Sequence, residues 1–270
     1  MIAPFQRLTL TEQLWWGTVA IMAAMFAATL LAFWFDGRVI DGASVWAKPL
    51  KFEVSLALHF ATLALIAHVL SPSWKGGTFL LVVAGLSVFS TAFEMAYILV
   101  QAGRQQASHF NLSTPFYAAM YALMALGAVM IIFAAAALGG AVALDGKVAL
   151  APPVRLAVVL GLIGGTILTL VVAFTMGGRL NHHVGVEPAG AARMVFTGWS
   201  LRVGDFRPAH FFATHMIQAV PLGGILAARA LPPPAATAAV LSLTLVWTAL
   251  TLGLFRQALS GRPLVSLLGL

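Results

Sequence analysis

Seven long apolar runs, separated by short polar or proline- and glycine-rich breaks, set the plan of this chain. They fall at about 13–35, 50–70, 78–101, 115–140, 154–177, 208–230 and 236–257. At ~1.5 Å of rise per residue each is long enough to cross ~30 Å of hydrocarbon as a helix. Lipid offers exposed backbone no hydrogen-bond partner, so a helix is the form such runs must take. The expected fold is therefore all-α, a polytopic membrane protein built as a seven-transmembrane-helix bundle. No internal repeat divides it, and residues 1–270 read as one domain. The breaks have their own chemistry: Ser71-Pro72-Ser73 through Gly77 reads as a tight turn, and Leu231-Pro232-Pro233-Pro234 ends the sixth run. Trp15 and Trp16 read as an interfacial anchor at the mouth of the first run. That run exceeds a signal-peptide core and lacks a small-residue cleavage site, so it is expected to stay as a span.

Polar positions inside the runs are the informative exceptions. In the third run Ser87, Ser90, Thr91, Glu94, Tyr97 and Gln101 fall within an arc of about 120° at the helical period. In the second, Lys51, Ser55, His59 and Thr62 share an arc of about 80°, with His68 and Glu53 off it and read as interfacial. In the sixth, a helix is expected to begin near Arg207, with Asp205 as an acceptor at its positive end and Pro208 in its first turn. On that helix His210, Thr214 and Gln218 lie within about 80°, with His215 about 60° further round. Polar side chains at membrane depth are costly and mark sites or interhelical hydrogen bonds.

Composition sharpens the class. The chain is 61% hydrophobic and 9% charged, with a formal net charge of +7 and no cysteine. Thiol and disulfide chemistry are excluded, and the basic excess reads as loops facing anionic lipid, not as a nucleic-acid surface. Ten of the fifteen basic residues fall in the first, third and fifth loops and the tail, and five, including Arg7, on the other side. The positive-inside rule then places the C-terminus in the cytoplasm.

His59, Glu94 and His215 each lie roughly 10–12 Å inside the same face, counted along their helices. Two imidazoles and a carboxylate are a recurring donor set for zinc or non-haem iron, so these three, with His210 as a further donor, form the candidate metal site. His210 and His215 stand five apart, unlike the i, i+4 pairs that grip one ion, so one of them is expected to ligate. Glu94, His109 and Asp205 are the candidate catalytic groups. Lys48, Lys51, Arg104, Asn111, Arg207 and Gln218 form the candidate binding set, a basic rim suited to a small anionic or lipid-like ligand. His182 and His183 read as a solvated loop pair whose rings splay apart.

At Trp46-Ala47-Lys48-Pro49-Leu50-Lys51-Phe52, Ser108-His109-Phe110-Asn111, and Gly204-Asp205 through His215, the chain resembles a group of bacterial multi-span membrane proteins, a likeness that implies no activity. Its span count is similar to that of the zinc-dependent hydrolases of the CREST superfamily, which includes alkaline ceramidases and adiponectin-receptor-like proteins. It departs from them in its histidine pair, which is five apart and on the sixth span instead of four apart on the last.

Three functions fit these residues. The first is a membrane-embedded enzyme using a divalent metal on an anionic or lipid-like substrate. The second is electron transfer through haem b, with His59 and His215 as the axial pair. The third is a transporter or receptor with a protonatable Glu94. A retinal site is disfavoured, because the seventh run has no lysine.

Overall fold

The structure is a computed structural model and describes residues 8–188 and 190–264; Arg7, counted above among the charges of the less basic side, lies outside them. The chain is all-α apart from two short two-stranded ladders. In order it runs α1 (Leu10–Phe35), β1 (Val39–Ile40), β2 (Ala43–Ser44), α2 (Ala47–His68), α3 (Pro72–Lys75), α4 (Thr78–Gly103) and α5 (Pro115–Leu144), then α6 (Pro152–Arg179), β3 (His183–Val184), β4 (Gly204–Asp205), α7 (Phe206–Ala230) and α8 (Pro233–Leu259). Seven of these helices, all but α3, are long and apolar enough to cross a membrane, in the seven places the apolar runs predict. This is an integral membrane protein. The stretch expected as a plain turn at 71–77 winds instead into the single-turn α3, with Pro72 at its start.

Helix ends follow local chemistry. Thr9 and Glu12 form a capping box at α1, Thr114 caps α5 by accepting from Tyr117 N–H, and Asp205 caps α7 by accepting from Arg207 N–H. Prolines open α5, α6 and α8, where a missing N–H costs nothing.

The spans group into two compact units. In the four-helix unit α1 packs on α2 and α4, while α5 packs on α4 and α2. One end of this unit is tied by Asp36, which accepts from Arg38 and from Trp46 Nε1 at 2.8 Å, and by Arg38, which donates to the Gly103 carbonyl at 2.7 Å. The other end is tied by Asp145, which accepts from Ser71 N–H at 2.7 Å, and by Glu12, whose carboxylate meets His68 at 2.8 Å. Trp15 is not an interfacial anchor: it is fully buried, its indole N–H donating to Ser87 Oγ at 3.3 Å, because that acceptor makes the interior less costly for it than the interface. Glu53 is likewise buried, not interfacial, and takes a 2.7 Å hydrogen bond from Thr29 of α1. In the three-helix unit α6, α7 and α8 all touch one another around Leu168, Val172, Phe206, Met216, Val220 and Leu254.

Candidate functional site

Chemistry gathers in two places, one in each unit. In the four-helix unit it begins with the α4 stripe. Ser87, Ser90, Thr91, Glu94, Tyr97 and Gln101 are all buried, as one helical face must be when its polar groups are kept from lipid. Glu94 is 2% exposed, and its Oε1 has no hydrogen-bond partner among the described residues; the same holds for Thr91 Oγ1, one turn away. Room for the carboxylate comes from α5, where Gly127 stands opposite. A Cβ there would lie 3.0 Å from Glu94 Oε1.

Lys48, in the first turn of α2, acts electrostatically on Glu94. Its ammonium lies 2.8 Å from His109 Nδ1 and 5.7 Å from the centre of the Phe52 ring. The His109 ring meets Phe52 and Tyr121 edge-on. Burial, with the Lys48 charge adding to it, pulls His109 down to about 3, so its imidazole is neutral at physiological pH. Nδ1 then accepts from Lys48, and the ring proton sits on Nε2.

The remaining candidates of this unit are placed differently. His59 is buried, with Nε2 3.2 Å from the Ile131 carbonyl. Lys51 and Ser55 are exposed, so the α2 arc is not one buried face; the helix turns Glu53, Leu56 and His59 inward. Arg104 reaches the Tyr117 hydroxyl at 3.3 Å, and Asn111 shapes its own turn by accepting from Ser113 N–H.

In the three-helix unit the centre is Asp205. The β3–β4 ladder sets His183 opposite Asp205, and Phe206 N–H closes it by donating to the His182 carbonyl. A side chain at Gly204 would run into the Ala258 carbonyl of α8, so the strand can lie this close only with glycine there. Asp205 accepts from Ser200 N–H at 2.9 Å, from Arg207 N–H at 2.9 Å and from the Arg207 guanidinium at 2.6 Å. Burial works against the ionised form, but His183, Arg207 and the Ser200 amide outweigh it and hold this carboxyl well below the usual range. His183 Nε2 is 3.6 Å from Asp205 and its Nδ1 3.7 Å from Glu187, which in turn pairs with Arg193 at 2.6 Å.

The expectation of a solvated, splayed His182–His183 pair fails. The rings lie 4.1 Å apart, and the His183 side chain is only 8% exposed, because the ladder turns it onto two carboxylates. Burial, then Arg207 and His183, pull His182 down to about 3. Deeper on α7, His215 Nδ1 meets Gln218 Oε1 at 3.3 Å with its ring against Phe211, and His210 Nδ1 is buried with no partner among the described residues.

His59 and Glu94 thus belong to one unit, and His210, His215, Asp205, Arg207 and Gln218 to the other. Among the described residues no group of three or more His, Asp or Glu side chains could hold a metal ion. No family model, curated protein or solved structure matches the chain.

Proposed function

We propose that the four-helix unit carries a proton-exchanging binding site for a small anion, with Glu94 as the carboxyl that gains and loses the proton and Lys48 as the cation that meets the ligand. The observation that carries this reading is the unpartnered Oε1 of a buried Glu94 in the field of Lys48. Each unmet buried acceptor costs free energy; Glu53 Oε2 is unmet too, but the other oxygen of Glu53 is held by Thr29, whereas Glu94 is acted on by the Lys48 charge. Here an arriving anion would compete with Glu94 for Lys48, and a proton on Glu94 would remove the competition. Neutral His109 holds the ammonium in place and adds no charge of its own. This makes the protein a transporter or receptor in the inner membrane, with the C-terminus cytoplasmic as the basic loops suggest.

Metal-dependent catalysis and haem b binding rest on residue types alone, and among the described residues no group of three or more donors adds support to the metal reading. One preparation tests all three readings. Purified protein in nanodiscs should take up protons when short carboxylates or phosphate are added, and Glu94→Gln and Lys48→Gln should each abolish the signal. Unchanged proton exchange in both variants overturns the proposal. Stoichiometric zinc or iron by elemental analysis, or a Soret band, would restore the metal or haem reading.

A further inference from the structure

The loop between α6 and α7 ends in a short hairpin at 192–201. Arg193 and Ser200 form a bridge, Met194 N–H donates to the Trp199 carbonyl at 2.9 Å, and Gly198 N–H donates to the Met194 carbonyl at 2.8 Å. Its base is fixed: Arg193 pairs with Glu187 and donates to the Asp41 carbonyl, and Ser200 N–H is bound by Asp205. Yet its tip presents Val195 and Phe196 at 92% and 93% exposure, above the 75% of Trp34 on a membrane-spanning helix. A loop tip open to water ordinarily carries small or polar residues. Two large apolar side chains on a braced hairpin mark an interaction surface.

Direction and charge say what covers it. Trp199 packs edge-on against Phe211, with centroids 5.8 Å apart. Phe211 is five residues into α7, roughly 7.5 Å along a span at ~1.5 Å per residue. The Trp199 ring therefore lies over the first turns of α7, on the side where Phe211 is 45% exposed. Arg202, just past the hairpin, is exposed, and a cation beside an apolar tip suits anionic headgroups.

We propose that this hairpin is a membrane-interface anchor, with Val195 and Phe196 set among the acyl chains at the headgroup boundary and Arg202 facing anionic lipid. Aromatic and aliphatic side chains backed by a cation are the composition that binds this boundary.

The chain has no cysteine, so single labels can be placed directly. Phe196→Cys carrying a nitroxide, in nanodiscs containing anionic lipid, should collide with oxygen more than with a water-soluble nickel chelate, the reverse of a control label at Lys147→Cys. Adding Phe196→Asp to a Val195→Cys label should shift that label toward the nickel chelate without moving the thermal midpoint in detergent, since both tip side chains are more than nine-tenths exposed. Predominant nickel access at 196 overturns the anchor. So does protection from both reagents, which would mean that protein, this chain or a second copy, covers the tip.

Discussion

Glu94 and Asp205 are both buried carboxyls beside a cation, and they are opposites in every other respect. Asp205 is saturated: two backbone N–H groups and a guanidinium fill its oxygens, and a histidine stands within 3.6 Å. Glu94 has an oxygen that nothing fills among the described residues, and its space is made by a missing side chain at Gly127. A saturated acid is a brace, because moving its charge would break every bond it makes. An unsaturated one has free energy to gain from a proton or a ligand, so it is the better candidate for function. On the function proposed above, Asp205 and Arg207 brace the fold, and Lys48 and His109 act with Glu94.

The largest contrast is expected on removing each carboxylate. Asp205→Asn leaves Arg207 without its counter-ion and should cost about 2–3 kcal/mol, below the ~3–5 kcal/mol of a fully buried pair because the guanidinium is partly solvated. Glu94→Gln should cost less than ~1 kcal/mol, since an amide can still donate and accept, while ligand-linked proton exchange disappears. Thermal unfolding in detergent measures the first effect, and a pH-indicator titration the second. A stable Asp205→Asn protein with lost exchange would reverse the assignment.

The facing glycines sharpen the same contrast. Gly204→Ala drives a methyl into the Ala258 carbonyl, which is backbone and cannot swing aside, so about 1–3 kcal/mol should be lost. Gly127→Ala meets only the end of the Glu94 side chain, which can turn away. Its cost in thermal stability should be smaller, but the carboxyl is displaced, and ligand-linked proton exchange should weaken toward the level of Glu94→Gln. Equal losses of stability in the two alanine variants would show that Glu94 is as rigidly held as the β4 backbone.

What could be read in advance follows from the range of the forces involved. The seven spans and the buried α4 stripe were legible because apolar length and helical period are properties of one segment. The α7 cap at Asp205 was legible for the same reason. Partnership was not. His183 looks like a loop histidine until a ladder brings Asp205, twenty-two residues away in sequence, across from it. Trp15 looks like an anchor until Ser87 supplies an acceptor inside the unit. Glu53 and Lys51 are two residues apart on α2, and which of them turns inward depends on Thr29 of α1, which no periodicity on α2 encodes. Counting along their helices gives His59, Glu94 and His215 similar expected depths, but equal counts do not say which side chains meet.

Acid should separate the buried histidines from Asp205 by pH. His109 and His182 are held neutral, down to about 3, whereas a released loop would titrate near ~6.5. The released state therefore binds more protons between these values, and the histidines' contribution to stability, full above ~6.5, is lost as pH falls toward 3. Asp205 contributes in the opposite chemical form, as an anion, and that contribution is full above ~3.9 and lost only below it. A pH series of thermal midpoints should show an early decline that His109→Asn and His182→Asn flatten, and a later one that Asp205→Asn removes. A single transition confined below ~3.9 would mean the histidines are not sequestered.

The smallest expected effect lies within the α4 stripe and asks whether its polar members are alike. Ser87 donates to the Ala84 carbonyl at 3.0 Å and accepts from the Trp15 indole at 3.3 Å, so both capacities of its hydroxyl are used. Ser87→Ala leaves a buried indole N–H without an acceptor and should cost about 1 kcal/mol. The Ala84 carbonyl keeps its helical bond, so the helix itself is not disturbed. Glu94 lies seven residues further along the same face, and it shares no hydrogen bond with Ser87. Ser87→Ala should therefore lower the thermal midpoint slightly while leaving anion-linked proton exchange at the wild-type level, and Trp15→Phe should do the same by removing the donor. Loss of exchange in Ser87→Ala would join the whole stripe into one network and make the open oxygen of Glu94 a property of that network instead of a site.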